Sequence, residues 1–432
     1  MQTNFTLAQL ADADVAESEK ILRTCVHCGF CLATCPTYLL TGDELDGPRG
    51  RIYLVKDMLE SGAPASATVA RHIDRCLSCL SCMTTCPSGV NYMHLVDHAR
   101  RHIQETFVRP LPDRLLRRML AAVLPFPGRF RLSLRLAQLA RPFAALLPGR
   151  LKTLIALAPL HVPNASTVDR PQIFPAEGQR RARVALLSGC AQQVLKPEIN
   201  AATIRLLTRH GVEVVVSNGM GCCGSLTHHL GQEGSALAFA RANIDAWCRE
   251  IDGAGLDAII ANASGCGTTL KDYGFMLRED RAWAAKAAKV SALARDVTEV
   301  MAQIGLAPSK TGSMRVAYHS ACSMQHGQKL HRPPRALLEA AGFEIAEIPE
   351  AHLCCGSAGT YNILQPEFAE PLRQRKIGNI RSTGAAAVAT GNIGCIQQLE
   401  SGLGMPILHT VELLDWATGG PKPAGLVSPR VK

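Results

Sequence analysis

The pattern of hydrophobic and polar positions divides the chain into a helical part and a part in which strands and helices alternate. Apolar residues at helical spacing predict a helix over Tyr92–Phe107. Further along, the predicted order is strand, helix, strand, helix, strand, over Val184–Leu187, Ile199–His210, Val212–Val216, Leu237–Cys248 and Ala258–Ala261. This alternation is typical of an α/β layer built on parallel strands.

The α/β pattern occurs twice. Val184–Cys190 returns as Val316–Cys322, and Cys222–Ser225 returns as Cys354–Ser357, each 132 residues later. A fixed period of this kind indicates two copies of one structural unit. Because parallel strands end at one edge of a sheet, cysteines that follow the strands are expected to converge there.

These patterns predict a fold class of α plus α/β with four segments. A helical ferredoxin-like domain occupies residues 1–108, and a basic, proline-rich helical linker occupies residues 109–181. Two repeated α/β units with a Cys-Cys-Gly sequence follow, the first unit over residues 182–310 and the second unit over residues 311–432.

Cysteine use sharpens the picture. The chain has seventeen cysteines, and in a reducing compartment such residues are metal ligands or redox groups more often than disulfides. A cytoplasmic location is expected, because the polar, acidic N-terminus lacks the basic start and apolar core of a secretory signal. No apolar run reaches the ~18 residues that a membrane-spanning helix needs.

Eight of the cysteines form a duplicated run. Cys-x2-Cys-x2-Cys-x3-Cys-Pro occurs at Cys25, Cys28, Cys31 and Cys35, and again at Cys76, Cys79, Cys82 and Cys86. This is the bacterial ferredoxin spacing, and it predicts two [4Fe–4S] clusters. Structural zinc is the alternative, but it prefers separated Cys pairs to four cysteines within eleven residues.

In two-cluster ferredoxins the fourth cysteine of each run ligates the other cluster. One cluster is therefore expected on Cys25, Cys28, Cys31 and Cys86, and the other on Cys76, Cys79, Cys82 and Cys35. His27 is expected beside a cluster or on the surface, because eight thiolates suffice. The forty residues between the runs favour, by analogy, the helical ferredoxin domain of respiratory iron–sulfur subunits.

Eight further cysteines fall into the two units, at Cys190, Cys222, Cys223 and Cys266, and at Cys322, Cys354, Cys355 and Cys395. Their arrangement resembles the Cys-Cys-Gly domain of heterodisulfide reductases, whose fuller pattern ends in Cys-x2-Cys. Ala263 and Asn392 stand here at the penultimate cysteine position. A four-thiolate cluster, another metal, or a redox or docking surface all remain open, as does simple packing of buried cysteines.

Several further segments resemble the iron–sulfur subunits of bacterial glycolate dehydrogenases, also called glycolate oxidases. The segments are Cys25–Cys31, Cys35–Tyr38, Gly42–Arg51, Cys86–Val90, Asn243–Trp247, Ala263–Gly267 and Leu353–Tyr361. The resemblance implies partner subunits that carry FAD and oxidise glycolate to glyoxylate, while this subunit relays electrons towards a quinone-type membrane acceptor. No catalytic residue and no activity of the chain alone are then expected, and no flavin fingerprint occurs in the sequence.

Other functions share these features. An iron–sulfur subunit of a lactate-utilisation or anaerobic glycerol-3-phosphate dehydrogenase complex would have the same domain plan. A disulfide reductase would use the Cys-Cys-Gly units for catalysis, although the shortened motif counts against it.

Positive charge is concentrated in one stretch. Between Arg100 and Arg183 there are sixteen Lys or Arg against four Asp or Glu, within a formal net charge of +10. Leucine-rich segments within 115–120 and 132–139 predict short amphipathic helices with arginine on the polar face. A solvated linker, docking to an acidic flavoprotein and peripheral contact with the cytoplasmic membrane are the three interpretations, of which we favour the membrane. Sparse aromatic residues argue against nucleic acid.

Replacement of Cys35 tests the crossed ligation. We expect Cys35→Ala to damage the cluster of Cys76, Cys79 and Cys82, because the fourth thiolate of a run belongs to the other cluster. Electron paramagnetic resonance of the anaerobically reduced protein would measure each cluster, with Cys86→Ala as the reciprocal variant. Loss confined to the cluster of Cys25, Cys28 and Cys31 would reverse the assignment.

Overall fold

A computed structural model describes residues 1–146, 155, 158–307 and 313–427. Its N-terminal part is helical, which confirms the predicted class of this region. Helices α1 to α7 span Leu7–Leu10, Ala13–Thr24, Pro36–Thr41, Pro48–Ser61, Ala67–Asp74, Ser81–Thr85 and Tyr92–Thr106, with 3-10 turns at Phe30–Leu32 and Glu44–Asp46. Prolines at the first positions of α3 and α4 favour helix starts there, since their missing N–H would be unbonded anyway.

Helices α2, α4, α5 and α7 enclose the N-terminal core. Leu22, Ile73, Leu95 and Ile103 are fully buried in it. The loop Cys25–Cys35 joins α2 to α3, and the loop Cys76–Cys86 follows α5 and contains α6. We call these the first and second cysteine loops. The hydroxyls of Thr34 and Thr85, at equivalent positions of the two loops, lie 3.0 Å apart, so the loops are in direct contact.

The basic segment forms two helices, α8 over Leu111–Val123 and α9 over Pro127–Ala140, followed by a 3-10 turn at Arg141–Leu146. Two of its arginines do not face solvent. Arg117 lies 3.0 Å from a carboxylate oxygen of Asp74 and 3.0 Å from one of Asp113, and Arg109 also pairs with Asp74. These pairs fasten α8 to α5. The predicted linker residues 147–154 and 156–157 lie outside the described residues.

The first unit contains a five-stranded sheet. Strands β1 to β5 span Gln172–Phe174, Ala182–Leu186, Val212–Val216, Ala258–Ala261 and Ala294–Asp296, in the spatial order β1-β3-β2-β4-β5. Strands β2 to β5 are parallel, with Val184 opposite both Val214 and Ala258. The sequence placed Gln172–Phe174 in a linker, and this was wrong, because the segment pairs antiparallel with β3 at the sheet edge.

The second unit repeats the parallel part of this sheet. Strands β6 to β9 span Met314–Tyr318, Phe343–Ala346, Ala387–Thr390 and Ile407–His409, in the order β7-β6-β8-β9. All their pairings are parallel, and Val316 lies opposite Ile345 and Ala387. The central strands of both sheets are buried, as expected for a parallel sheet covered by helices. This confirms the predicted α/β repeat.

Helices cover both sheets. In the first unit they span Gln192–Leu195, Glu198–Arg209, Ser225–His229, Glu233–Asp252, Ser264–Met276, Ala284–Leu293 and Val297–Ile304, after a 3-10 turn at Thr167–Asp169. In the second unit they span Pro333–Ala340, Tyr361–Leu364, Pro366–Arg381, Ile393–Leu403, Thr410–Ala417 and Ala424–Val427, with a π-helical turn at Ser323–Gly327. Within the described residues, no helix combines the length and apolar character that a bilayer crossing requires.

The two units pack directly on each other. Asp415 of the second unit is buried and accepts hydrogen bonds from Arg205 and Arg209 of the first unit, each at 2.9 Å. His409 Nε2 lies 2.6 Å from the carbonyl oxygen of Asn262. The predicted boundary between residues 310 and 311 falls in 308–312, outside the described residues, and stays a prediction.

The glycine of each Cys-Cys-Gly sequence has a specific packing role. Gly224 and Gly356 have φ of +87° and +88°. A Cβ at Gly224 would lie 2.9 Å from the carbonyl oxygen of Ala236, and one at Gly356 would lie 2.5 Å from that of Ala369. Glycine therefore permits both a left-handed turn and close approach of the next long helix behind the cysteine pair.

Replacement of Gly356 measures this contact. We expect Gly356→Ala to lower the free energy of unfolding by about 2–4 kcal/mol, because a left-handed conformation and a backbone clash both act there. The matched control is Gly359→Ala, where φ is +67° and a Cβ meets nothing within 4 Å, so about 1 kcal/mol is expected. Anaerobic chemical denaturation gives both values. Equal losses in the two variants would contradict the packing role.

Candidate iron–sulfur sites

The two cysteine loops have the same backbone course. His27 and Gly29 in the first loop have φ of 60° and 86°, and Ser78 and Leu80 in the second loop have φ of 49° and 62°. Each pair lies two and four residues after the first cysteine of its run. Left-handed non-glycine residues cost about 1–2 kcal/mol each. The loops therefore hold strained turns that place successive thiols on one concave side.

The thiols of the first loop meet in one pocket. Cys25, Cys28 and Cys31 line it together with Cys86 and Cys82 of the second loop. Burial raises the pKa of the Cys31 thiol to about 11, and Cys25, Cys35 and Cys86 are near enough to add to the rise. A metal centre would replace these protons and relieve the repulsion between thiolates.

The remaining thiols of the second loop lie deeper. Cys76, Cys79 and Cys82 are all buried. Burial raises the pKa of Cys82, and the nearby thiols of Cys79, Cys76 and Cys35 raise it further. Cys35 of the first loop is thus close enough to interact with Cys79 and Cys82 of the second loop, as well as with Cys31 of its own loop. The structure holds the eight residues in suitable places, and which thiol binds which iron stays a prediction.

Buried charges next to Cys35 were not singled out as functional from the sequence. Arg51 points Nη1 at Cys35 Sγ from 3.9 Å, and Nε donates to the carbonyl of His72 at 2.7 Å. Burial by itself would lower the pKa of Arg51, but Cys76, Cys35 and Asp46 raise it above its usual value. Asp46 is fully buried between Arg51, His72 and Arg75.

This network supplies a fixed positive charge beside the Cys35 side chain. Such a charge stabilises thiolates and any anionic cluster that they hold. The sequence signal was present in the segment Gly42–Arg51, which contains both Asp46 and Arg51. Its role depends on α5, which brings His72 and Arg75 to Asp46, and that contact is not readable from the segment alone.

The first unit brings its four cysteines together at the carboxyl ends of its strands. Cys190 follows β2, Cys222 and Cys223 follow β3, and Cys266 lies in the first turn of the helix after β4. The Sγ atoms of Cys190 and Cys222 are 3.6 Å apart. The hydrogen bond between these two thiols raises the pKa of Cys190, and burial raises it further.

The second unit repeats this geometry. The Sγ atoms of Cys322 and Cys354 are 3.7 Å apart, and those of Cys355 and Cys395 are 3.5 Å apart. Three of the four are buried, and Cys322 is half-buried. Four convergent thiols in a buried setting fit an iron–sulfur cluster, which Cys thiolates usually hold.

The penultimate cysteine position of the related domains is differently used in the two units. Ala263 caps the helix Ser264–Met276 and is buried. Asn392 caps the helix Ile393–Leu403, and its Oδ1 accepts a hydrogen bond from the Gly394 amide at 3.2 Å. Ala263 has no metal-binding side chain, and the capping bond occupies the oxygen of Asn392. Neither position therefore supplies the thiolate of the fuller pattern.

Among the described residues, it is the second unit that places its cysteines against the second cysteine loop. Cys79 packs in one apolar cluster with Cys354 and the half-buried Cys322. His326 Nδ1 lies 2.7 Å from the hydroxyl of Thr84, and the hydroxyl of Tyr361 donates to the carbonyl of Arg75 at 2.9 Å. The second unit is therefore the one whose thiols adjoin the N-terminal sites.

The first unit instead meets the N-terminal helices through charged groups and through the stacked rings of His94 and Phe275. His228 Nε2 lies 3.2 Å from the buried carboxylate of Asp97, and Arg101 lies 3.0 Å from Glu233. His228 and His229 hold the pKa of Asp97 far below its usual range, against the opposing effect of burial. This contact fixes the orientation of the unit without bringing thiols together.

Comparison with known proteins agrees with these sites. A family model described as a 4Fe-4S dicluster domain matches residues 21–90, and one described as a cysteine-rich domain matches residues 184–271 and 316–400. A Helicobacter pylori protein of known structure, described as hypothetical, has a TM-score of 0.50 and 11% identity over 95% of this chain and 73% of that one, which is a likeness of fold.

Two named relatives match most of the chain, and a third matches about half of it. The glycolate oxidase iron–sulfur subunit of Escherichia coli is 43% identical over 96% of this chain and 99% of that protein. The probable glycolate oxidase iron–sulfur subunit of Bacillus subtilis is 32% identical over 88% and 89%. Lactate utilization protein A of Geobacillus kaustophilus is 27% identical over 54% of this chain and 98% of that protein. The chain belongs to the family of glycolate oxidase iron–sulfur subunits.

Proposed function

We propose that this chain is the electron-transfer subunit of a glycolate-oxidising complex. It takes electrons from partner subunits that carry FAD and delivers them towards a quinone-type acceptor at the membrane. An iron–sulfur cluster, when bound, accepts and releases one electron at a time. The observation that carries the proposal is the arrangement of the cysteines: the exposed Cys28 shares a pocket with Cys82 of the second loop, and Cys79 of that loop packs against the second unit.

The proposed ligands follow the crossed pattern. One [4Fe–4S] cluster is held by Cys25, Cys28, Cys31 and Cys86, and the other by Cys76, Cys79, Cys82 and Cys35. Support comes from the pocket that the first set lines together with Cys82, and from the interaction of Cys35 with Cys79 and Cys82. Further iron–sulfur sites are proposed on the Cys-Cys-Gly cysteines of both units.

The first cysteine loop is the proposed entry point for electrons. Cys28 is exposed, and three large apolar side chains around its loop are exposed as well, namely Val26 at 68%, Phe30 at 64% and Tyr53 at 54%. Exposed aromatic and aliphatic residues of this kind form the centres of protein interfaces. A flavin subunit docked here would bring its cofactor close to the first cluster.

Inside the protein, the second loop and the second unit continue the route. Cys79 adjoins Cys322 and Cys354 with apolar packing around them. Leu77, Tyr361 and Phe368 belong to the same cluster and exclude water from the contact. We therefore propose that electrons pass from the second cysteine loop to the second unit. The first unit lies outside this contact.

Lactate utilisation is the second candidate function. It is supported by relatives named lactate utilization protein A, but each of them matches about half of this chain. A disulfide reductase is less well supported, because both units lack the penultimate cysteine, at Ala263 and Asn392.

A reconstituted complex tests the function. We expect the isolated chain to show no dye-linked glycolate oxidation, because the two-electron donor cofactor belongs to partner subunits. With those subunits, glycolate should reduce the iron–sulfur centres of this chain, as followed by visible absorbance and electron paramagnetic resonance. Turnover by the flavin-free chain would refute the proposal, and faster reduction by lactate than by glycolate would favour the second candidate.

A surface variant separates docking from chemistry in the same assay. Phe30→Asp should slow reduction of the clusters by about tenfold or more, the size of a loss at an interface centre, while flavin reduction by glycolate stays unchanged. Leu160→Asp is the matched control, since Leu160 is an exposed apolar residue outside the cysteine loops. Unchanged cluster spectra in both variants would exclude damage to the sites.

Helices α8 and α9 form the proposed membrane-facing surface. Leu111, Leu115 and Met119 make an exposed row on α8, and Leu132, Leu136 and Leu139 make one on α9. The exposed arginines beside these rows are Arg114, Arg118, Arg129 and Arg135. Leucine rows flanked by arginine suit reversible attachment to anionic headgroups, which gain both apolar burial and charge pairing.

Vesicle co-sedimentation measures this attachment. Arg114→Gln with Arg118→Gln should weaken binding to anionic vesicles about thirtyfold at low salt, since each arginine contributes ~1 kcal/mol. Arg117 is left intact because it is buried in ion pairs with Asp74 and Asp113. Arg332→Gln with Arg335→Gln, on the second unit, is the control. Equal binding to neutral and anionic vesicles, or no binding at low salt, would contradict membrane attachment and favour the interpretation of this segment as a solvated linker.

A further inference from the structure

A buried histidine stands among the cysteines of the second unit. His319 directly follows β6, three residues before Cys322, and its side chain is almost completely enclosed. One of its ring nitrogens and the Sγ atoms of Cys355 and Cys395 all lie within 4.8 Å of one another. Imidazole and thiolate in this proximity are a common donor combination for iron and zinc.

The histidine has a polar atom without a partner. Among the described residues, nothing forms a hydrogen bond with His319 Nε2, which is buried. An unsatisfied buried polar group costs about 1–3 kcal/mol. A metal bound at Nε2 would remove that cost, whereas a histidine with no ligand at Nε2 would keep it.

The first unit provides an internal comparison. At the position 132 residues earlier, the first unit has Leu187, which is also buried. The four cysteines of each unit keep equivalent positions, whereas the residue three positions before the first cysteine differs between the units. The two units therefore offer different donor sets, one with four thiols and one with four thiols and an imidazole.

A buried cation adds to the contrast. Lys376 is 1% exposed, donates from Nζ to the carbonyl of Glu350 at 2.8 Å, and is close enough to Cys354, Cys355 and Cys395 to interact with their charge. Its counterpart in the first unit is the uncharged Asn243, because Ala236 and Ala369, which lie behind the two Cys-Cys-Gly glycines, are 133 residues apart. The second unit thus has a positive group that would compensate an anionic centre.

We propose that His319 binds an iron of the cluster held by Cys322, Cys354, Cys355 and Cys395. The first unit has no such nitrogen ligand. This inference rests on the iron–sulfur assignment of the second unit and not on the substrate of the complex. A neutral imidazole adds a donor to the four thiolates without adding negative charge, and the buried cation Lys376 favours the more anionic, reduced state of the centre. The second unit is therefore the more oxidising of the two.

Nitrogen coupling is the direct test. The full chain is prepared anaerobically with 15N-labelled histidine, poised at a series of potentials, and measured by pulsed electron paramagnetic resonance. We expect a strongly coupled histidine nitrogen that disappears in His319→Leu, the variant that copies the first unit. Iron and zinc are counted in the same samples, and no glycolate or flavin subunit is present, so failure here is separate from failure of the proposed function.

A second variant keeps the result decisive if His319→Leu does not fold. His319→Cys should retain iron, lose the nitrogen coupling and move one centre to a lower potential. The matched control is His27→Asn, because His27 lies within the first cysteine loop and asparagine tolerates its left-handed backbone. Absence of nitrogen coupling at every potential, its persistence without His319, its loss in His27→Asn, or stoichiometric zinc in the second unit would overturn the proposal.

Discussion

The free-energy cost of ionising thiols that are packed together out of water is the constraint on which this structure depends. Burial and neighbouring thiols together raise the pKa of Cys79 and Cys82, so the cysteines do not ionise side by side without a compensating cation. Iron provides that compensation, and fixed protein charges assist it. Arg51 beside Cys35 and Lys376 beside Cys355 are two buried cations that the fold places behind the thiols.

The same constraint explains where the backbone is strained. Left-handed residues at His27, Ser78 and Leu80 turn the cysteine loops towards a common centre at a conformational cost. Gly356 serves another need, because it lets a helix pass directly behind the cysteine pair. Strain and close packing are therefore concentrated where thiols must converge, while the parallel sheets supply rigid strand ends from which the loops extend.

The sequence predicted what depends on local spacing. The cysteine runs, the repeat and the central strands, including Ala258–Ala261, were readable because each is encoded within a few adjacent residues. The edge strand Gln172–Phe174 was missed, since three residues without an apolar run give no strand pattern. Arg117 was counted as surface charge, although Asp74, forty-three residues away, neutralises it. His319 was not identified from the sequence, because it comes close to Cys355 and Cys395 only in the folded unit, where the strand ends meet.

Duplication gave the protein two similar units, and contact with the N-terminal domain made them unequal. The second unit sets thiols against Cys79, whereas the first unit attaches through ion pairs such as that of His228 with Asp97. A unit that receives electrons benefits from a short apolar contact, because water and mobile charge there would add reorganisation to each transfer. A unit that is held by ion pairs is instead fixed in position without lying on the path of the electrons. The replacement of Leu187 in the first unit by His319 at the equivalent position of the second unit follows the same division. Sequence divergence within the repeat therefore corresponds to the position of each unit in the protein.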